Sequence, residues 1–138
     1  MKISAHIENS EGQHRLTLKT GDNAHSITIP PKPTGFGSKA SGGELLFLAL
    51  ATCYCNDIYR EATKKGVKIE RVAVDVDGDF GAEGEPAKNV AYRAKVTAHA
   101  SEEQIRELMW QTDKVAEIQN TLRVQTPVTL SQVEVDAV

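Results

Sequence analysis

SGGELLFLALATCYCNDIYREATKKG, from Ser41 to Gly66, is the stretch that decides the fold. Ser41 with Glu44 three residues on is a capping box, in which each side chain satisfies the other residue's orphan backbone N–H. Lys64 and Lys65 suit the negative end of a helix dipole, and Gly66 accepts the left-handed conformation that ends one. No proline lies between these marks. The stretch therefore predicts a helix of about 24 residues, roughly 36 Å long at 1.5 Å per residue. Leu45 to Ala51 is apolar on every side, the pattern of a helix buried all round. The run falls short of the about 20 apolar residues that a membrane span requires. It predicts a central core helix, with both cysteines, Cys53 and Cys55, at its middle.

The surrounding chain reads as α+β with antiparallel sheets. Alternation over Lys2–Glu8, His14–Thr20 and His25–Ile29 predicts a three-stranded meander. Pro30, Pro31 and Pro33 end it, and TGFGSKASGG, Thr34 to Gly43, is a glycine- and serine-rich loop leading to the helix. After the helix, Val67–Phe80 and Asn89–His99 alternate as a hairpin, with Arg93 and Lys95 set to pair with Asp75 and Asp77 across it. Ser101 with Gln104 opens a second helix, whose stripe includes Leu108, Met109 and Trp110. A shorter helical run from Asp113 carries Val115, Ile118 and Leu122 inward. Val124–Val135, broken by Pro127, predicts a last edge strand. The whole, residues 1–138, is expected to be one domain. A helix apolar all round its first half needs more cover than one meander and one hairpin give, so an intertwined homodimer is expected.

Composition narrows the function. Net charge is −3 and charged residues make up 25% of the 138. No basic run suggests nucleic acid. The N-terminus has no apolar signal region, and two cysteines two apart form no disulfide framework, so a cytoplasmic location with reduced thiols is expected. On a helix Cys53 and Cys55 point about 200° apart, so they neither bridge nor chelate one metal together. No other cluster completes a metal site, and no cofactor motif is present.

Two readings of the cysteines remain. They are small core fillers, as free cysteines often are, or one is a reactive thiol. Burial raises a thiol's pKa, and the helix N-terminus is too distant for its dipole to help. An activating cation must then come from another segment. Arg15 is the candidate, with Lys39 and His14 behind it, and Glu44 is placed to orient that arginine, or to cap alone. Asn56 and Asp57 form either a solvated face or the lining of a pocket beside Cys55.

The run Gly43-Glu44-Leu45-Leu46-Phe47-Leu48-Ala49-Leu50-Ala51-Thr52-Cys53, followed by a strand from Val67 to Asp79, resembles the central helix of the OsmC/Ohr family. That family comprises osmotically inducible protein C and organic hydroperoxide resistance protein. The order of strands and helices is similar over nearly the whole chain. The resemblance implies intertwined α+β homodimers with active sites at the interface. It implies a first cysteine, here Cys53, that attacks the peroxide O–O bond and becomes a sulfenic acid. It implies an arginine from the N-terminal strands, matched best by Arg15, held by a glutamate, here Glu44. A second cysteine late in the family's chain forms a disulfide. In this sequence the late motif is Ala116-Glu117-Ile118-Gln119-Asn120-Thr121-Leu122, with Ala116 where that cysteine stands.

Three functions follow as expectations. One is a one-cysteine peroxidase acting on organic hydroperoxides, its sulfenic acid resolved by an external thiol. The second is a non-catalytic module that binds a small apolar or acidic ligand in an interface pocket near Cys53, Cys55, Asn56, Asp57 and Asn120. The third, hydrolytic or acyl-transfer chemistry at Cys53, requires a histidine beside the sulfur.

Overall fold

A computed structural model describes residues Met1–Val138. The chain divides into two compact units, Met1–Leu46 and Phe47–Val138.

In the first unit, β1 (Ile3–Ser10), β2 (Gln13–Thr20) and β3 (Asn23–His25) form an antiparallel meander in that order. Gly12 and Gly21 turn the chain at positive φ, +69° and +56°, where a side chain would be strained. The register sets Ile7 against Leu16 and Glu8 against Arg15. The third strand lies earlier than the expected His25–Ile29 and shares only His25 with it. It stops at His25, and Ile27 is exposed rather than inward. Pro30 and Pro31 follow closely, and proline carries no N–H for a ladder. The glycine-rich loop is closed by its own backbone: Lys32 N–H donates to Gly37 O at 3.0 Å and Lys39 N–H to Pro30 O at 2.9 Å.

Helix α1 spans Gly42–Lys65. Its start is the expected capping box: Glu44 N–H donates to Ser41 Oγ at 3.1 Å, and Ser41 N–H to Glu44 Oε2 at 2.6 Å. Gly66, at φ +67°, ends it, and Val67 N–H returns to Ala62 O at 2.9 Å.

In the second unit, β4 (Lys68–Asp79) and β5 (Lys88–His99) form an antiparallel hairpin. Helices α2 (Glu102–Val115) and α3 (Glu117–Arg123) follow, α2 opened by the Ser101/Gln104 capping box. The core is a stripe of α1 at helical spacing, Tyr54, Ile58 and Ala62, closed by Leu108 of α2. Val72, Val74, Tyr92, Ala94 and Val96 of the hairpin pack against it. Gly78 is required by a close approach: a Cβ there would lie 2.8 Å from Phe47 Cζ.

Several expectations are corrected here. Of the apolar first half of α1 only Leu50 is buried, and Leu48 is 57% exposed. The covered part is the second half, where the apolar stripe meets the hairpin and α2. Arg93 lies opposite Asp75 as expected, but its guanidinium pairs diagonally with Asp77 at 2.8 Å, and Lys95 lies opposite Ala73 rather than Asp77. Trp110 and Leu122 are exposed, at 66% and 43%. Residues 126–138 form neither helix nor strand, so the last strand is absent from the single chain. A strand exists through its ladder, and here Val128, Leu130, Val133 and Val135 stand out in solvent with nothing paired to them.

Candidate functional site

Cys53 and Asp57 are four residues apart on α1 and therefore share a face. The Cys53 thiol donates to Asp57 Oδ2 at 3.4 Å. It also reaches Glu117 Oε2 at 3.9 Å. Glu117 arrives at this place through the junction of α2 and α3. Ala116, fully buried and extended at φ −70°, ψ 107°, stops α2 and starts α3. Gln119 on α3 then donates its amide to Leu50 O on α1 at 3.0 Å, fixing the short helix against the long one. Tyr54 OH donates to Met109 O at 3.0 Å and does the same for α2.

Arg60 completes the group from one turn further along α1. Its Nη1 lies 3.0 Å from Asp57 Oδ1 and 3.2 Å from Glu117 Oε1. Each carboxylate thus turns one oxygen to the thiol and the other to the guanidinium. Arg60 Nε also donates to Glu61 Oε1 at 3.0 Å, which Lys64 reaches at 2.9 Å. This network explains two acidic residues, Asp57 and Glu61, buried in mid-helix at 6% and 5% exposure. The Cys53, Asp57 and Glu117 donor atoms lie within 4.8 Å of one another. The positive charge that such spacing invites is the guanidinium of Arg60.

The electrostatics follow from this arrangement. Burial, with the Asp57 and Glu117 charges added to it, pushes the Cys53 thiol above its ordinary value; the Ile118 backbone N–H works the other way. Burial first, then the shared hydrogen bond with Glu117, raises Asp57. Glu117 is lowered, chiefly by its own backbone N–H and then by Asp57. The sulfur therefore sits as a protonated thiol with two proton acceptors in place and a cation one carboxylate away.

The other expected site residues stand as follows. Arg15 is exposed and lies 3.8 Å from Glu8. Glu44 is held by Ser41, whose backbone N–H is the larger cause of its lowered pKa. His14 Nδ1 contacts the Asn9 amide at 3.0 Å. Cys55 and Asn56, with Ala51, Thr52 and Val74, line a hollow of about 250 Å³. Asp57 is not among them: it faces Cys53. Asn120 uses its amide on Lys114 O, at 3.0 Å, and accepts from Arg123 at 3.1 Å. The hydrogen-bonding partners of Cys53 are carboxylates and an N–H rather than an imidazole. The histidine that hydrolytic chemistry was expected to need beside the sulfur is not among these partners. Arg60 and Glu117 were not singled out by sequence reasoning. The i,i+3 spacing of Asp57 and Arg60 was a legible signal; for Glu117 the only hint was its place beside Ala116.

A second concavity, about 490 Å³, lies between β5 and α2, where Tyr54, Tyr92, Trp110, Arg106 and Arg123 are among its walls. Tyr92 OH donates to Asp113 within it, and Arg123 Nη2 lies 2.7 Å from the same carboxylate.

Comparison with known proteins agrees with this architecture. A family model for OsmC-like protein matches residues 35–131. An OsmC-like protein from Mycoplasma pneumoniae superimposes at TM-score 0.59 with 20% identity, covering 88% of this chain and 86% of that one. An OsmC-like protein of unknown function from Vibrio cholerae gives 0.61 with 16% identity over 88% and 93%. An organic hydroperoxide resistance protein OsmC from Legionella pneumophila, described as a predicted redox protein, gives 0.58 with 16% identity over 89% and 90%. No curated protein sequence matches. The family match spans the loop, the central helix, the hairpin and both short helices, and the chain belongs to the OsmC-like family.

Proposed function

We propose that this protein reduces organic hydroperoxides, with Cys53 as its sole peroxide-attacking cysteine. The observation that carries the reading is the placement of Cys53, half-buried at the middle of α1, with its proton already directed to a carboxylate at 3.4 Å. Membership of the OsmC-like family and the hydroperoxide-resistance relative from Legionella support it. In the reaction the sulfur attacks the distal peroxide oxygen. An S–O bond forms, the O–O bond breaks, and Cys53–SH with ROOH gives Cys53–SOH and ROH. Two equivalents of an external thiol then return the sulfenic acid to the thiol, releasing a disulfide and water. The external thiol is required because Ala116 stands where the family's second cysteine would be, and Cys55 lies on another side of α1.

The working unit we propose is a homodimer. The half-covered first half of α1, with Leu48 exposed, and the unpaired apolar segment 126–138 support it. In that dimer Arg15, exposed in the single chain, is the activating cation, and Glu44 orients it. No helix is long and apolar enough to cross a membrane; we place the protein in the cytoplasm, where thiol reductants are available. The test is hydroperoxide consumption by the reduced protein with a dithiol. Cys53→Ser is expected to abolish it and Cys55→Ser to leave it intact; equal activity in the Cys53 variant refutes the assignment.

One observation favours a second reading, a binding module without catalysis. The hollow beside Cys55 and Asn56 has room for a short apolar chain. A thermal shift with decanoate that persists in Cys53→Ser would support it; no shift would count against it.

A further inference from the structure

On the peroxidase reading the thiol proton must travel from the sulfur to the departing oxygen, and the α1–α3 contact supplies the route. Resting on that reading, we infer that Asp57 is a catalytic proton acceptor for Cys53, that it returns the proton to the departing alkoxide, and that Glu117 and Arg60 hold it in position. The geometry is specific. Asp57 Oδ2 receives the S–H at 3.4 Å, while its other oxygen is fixed by Arg60 at 3.0 Å. Glu117 repeats the arrangement from the opposite side, with Oε2 toward the sulfur and Oε1 on Arg60 at 3.2 Å. Arg60 thus holds one oxygen of each carboxylate and leaves the other turned toward the sulfur.

The charged and titratable groups facing Asp57 are Cys53 and Arg60 on its own helix and Glu117 on α3. Burial, then the contact with Glu117, raises the Asp57 carboxyl above its ordinary value, and burial raises the Cys53 thiol as well, so the relay rests on the placement of Asp57 Oδ2 against the S–H rather than on matched affinities. The step balances: Cys53–SH and ROOH pass to Cys53–SOH and ROH, with the sulfur oxidised by two electrons, the distal oxygen transferred, and the thiol proton delivered through Asp57 to RO⁻. Arg60 pairs with both carboxylates, at 3.0 and 3.2 Å, and balances part of their charge.

Asp57→Asn separates this role from a merely electrostatic one. Removing the charge makes the thiol easier to ionise, so alkylation of Cys53 by iodoacetamide is expected to reach half-maximum at lower pH. Removing the acceptor slows the hydroperoxide step, by about a hundredfold or more at neutral pH. The two readouts therefore move in opposite directions. A variant that is more ionised and as fast as, or faster than, the parent overturns the relay and makes Asp57 a suppressor. Should the variant fail to fold, the parent protein decides: a solvent deuterium isotope effect on single-turnover sulfenic acid formation, with an acid limb in its pH profile, is expected, and absence of both overturns the relay. Parent protein that consumes no hydroperoxide overturns the reading beneath as well, whereas an Asp57→Asn protein with parental kinetics overturns the relay alone.

Discussion

Leu108→Ala tests the packing that carries Glu117 to Cys53. Leu108 is fully buried and closes the core against Tyr54, Ile58 and Ala62 of α1. The substitution removes three carbon atoms, about 2.4 kcal/mol at about 0.8 kcal/mol per methylene. The cavity adds to that, because the neighbours are held. Tyr54 is tied to Met109 O at 3.0 Å, and Thr112 Oγ1 to Leu108 O at 2.8 Å. A site that cannot collapse lies in the upper part of the observed range, so the expected loss is about 3 to 4 kcal/mol. With a urea slope of about 2 kcal/mol per molar, the midpoint falls by about 1.5 to 2 M. The assay is urea unfolding at one fixed protein concentration, since any self-association shifts the midpoint by mass action. The same change loosens α2 and with it the Ala116–Glu117 junction, so Cys53 alkylation should change as well. A loss under about 1 kcal/mol, with Cys53 alkylation unchanged, would refute the argument that Leu108 closes this core.

Gly78→Ala sets a methyl 2.8 Å from Phe47 Cζ, 3.1 Å from Val90 Cγ2 and 3.3 Å from the Lys88 carbonyl. It is expected to cost about 1 to 3 kcal/mol in the same unfolding assay, and a neutral result would contradict the close approach. Burial, with the Asp113 charge behind it, pushes Tyr54 up to about 12, and burial with the Asp113 hydrogen bond raises Tyr92 further. Raised folded values give stability that is whole below the ordinary phenol value of about 10 and lost as pH climbs through the folded ones; an ultraviolet titration showing all three phenols ionised near pH 11 in folded protein would contradict the burial. If a second copy brings Arg15 to the sulfur, Arg15→Ala moves the alkylation midpoint of Cys53 to higher pH; an unchanged midpoint removes Arg15 from the site.

The long helix and the hairpin were legible because their signals are local. A capping box, a terminal glycine and unbroken alternation each act within a few residues, and the structure places α1 at Gly42–Lys65 and the hairpin at Lys68–His99. What misled were signals that depend on a partner element. Leu45 to Ala51 reads as buried, yet burial needs a surface to cover it, and the single chain buries only Leu50 fully, leaving Leu48 exposed and the rest half-buried. Val124–Val135 reads as a strand, yet without a ladder it forms none and stays exposed. The site divides in the same way. Cys53 could be chosen from its place on the helix. Glu117, 64 residues away in sequence, meets it only because Leu108, Ala116 and Gln119 dock α2 and α3 on α1. Asp57 was visible, but it was left between a solvated face and a pocket beside Cys55, although i,i+4 spacing sets it on the face of Cys53.

The most direct test of the central claim is to treat the reduced protein with one equivalent of cumene hydroperoxide in the presence of dimedone and to map the adduct by mass spectrometry. The account predicts one dimedone adduct on Cys53 within seconds, none on Cys55, and none at all in Cys53→Ser. An unmodified Cys53 reacting as slowly as a free thiol would contradict it.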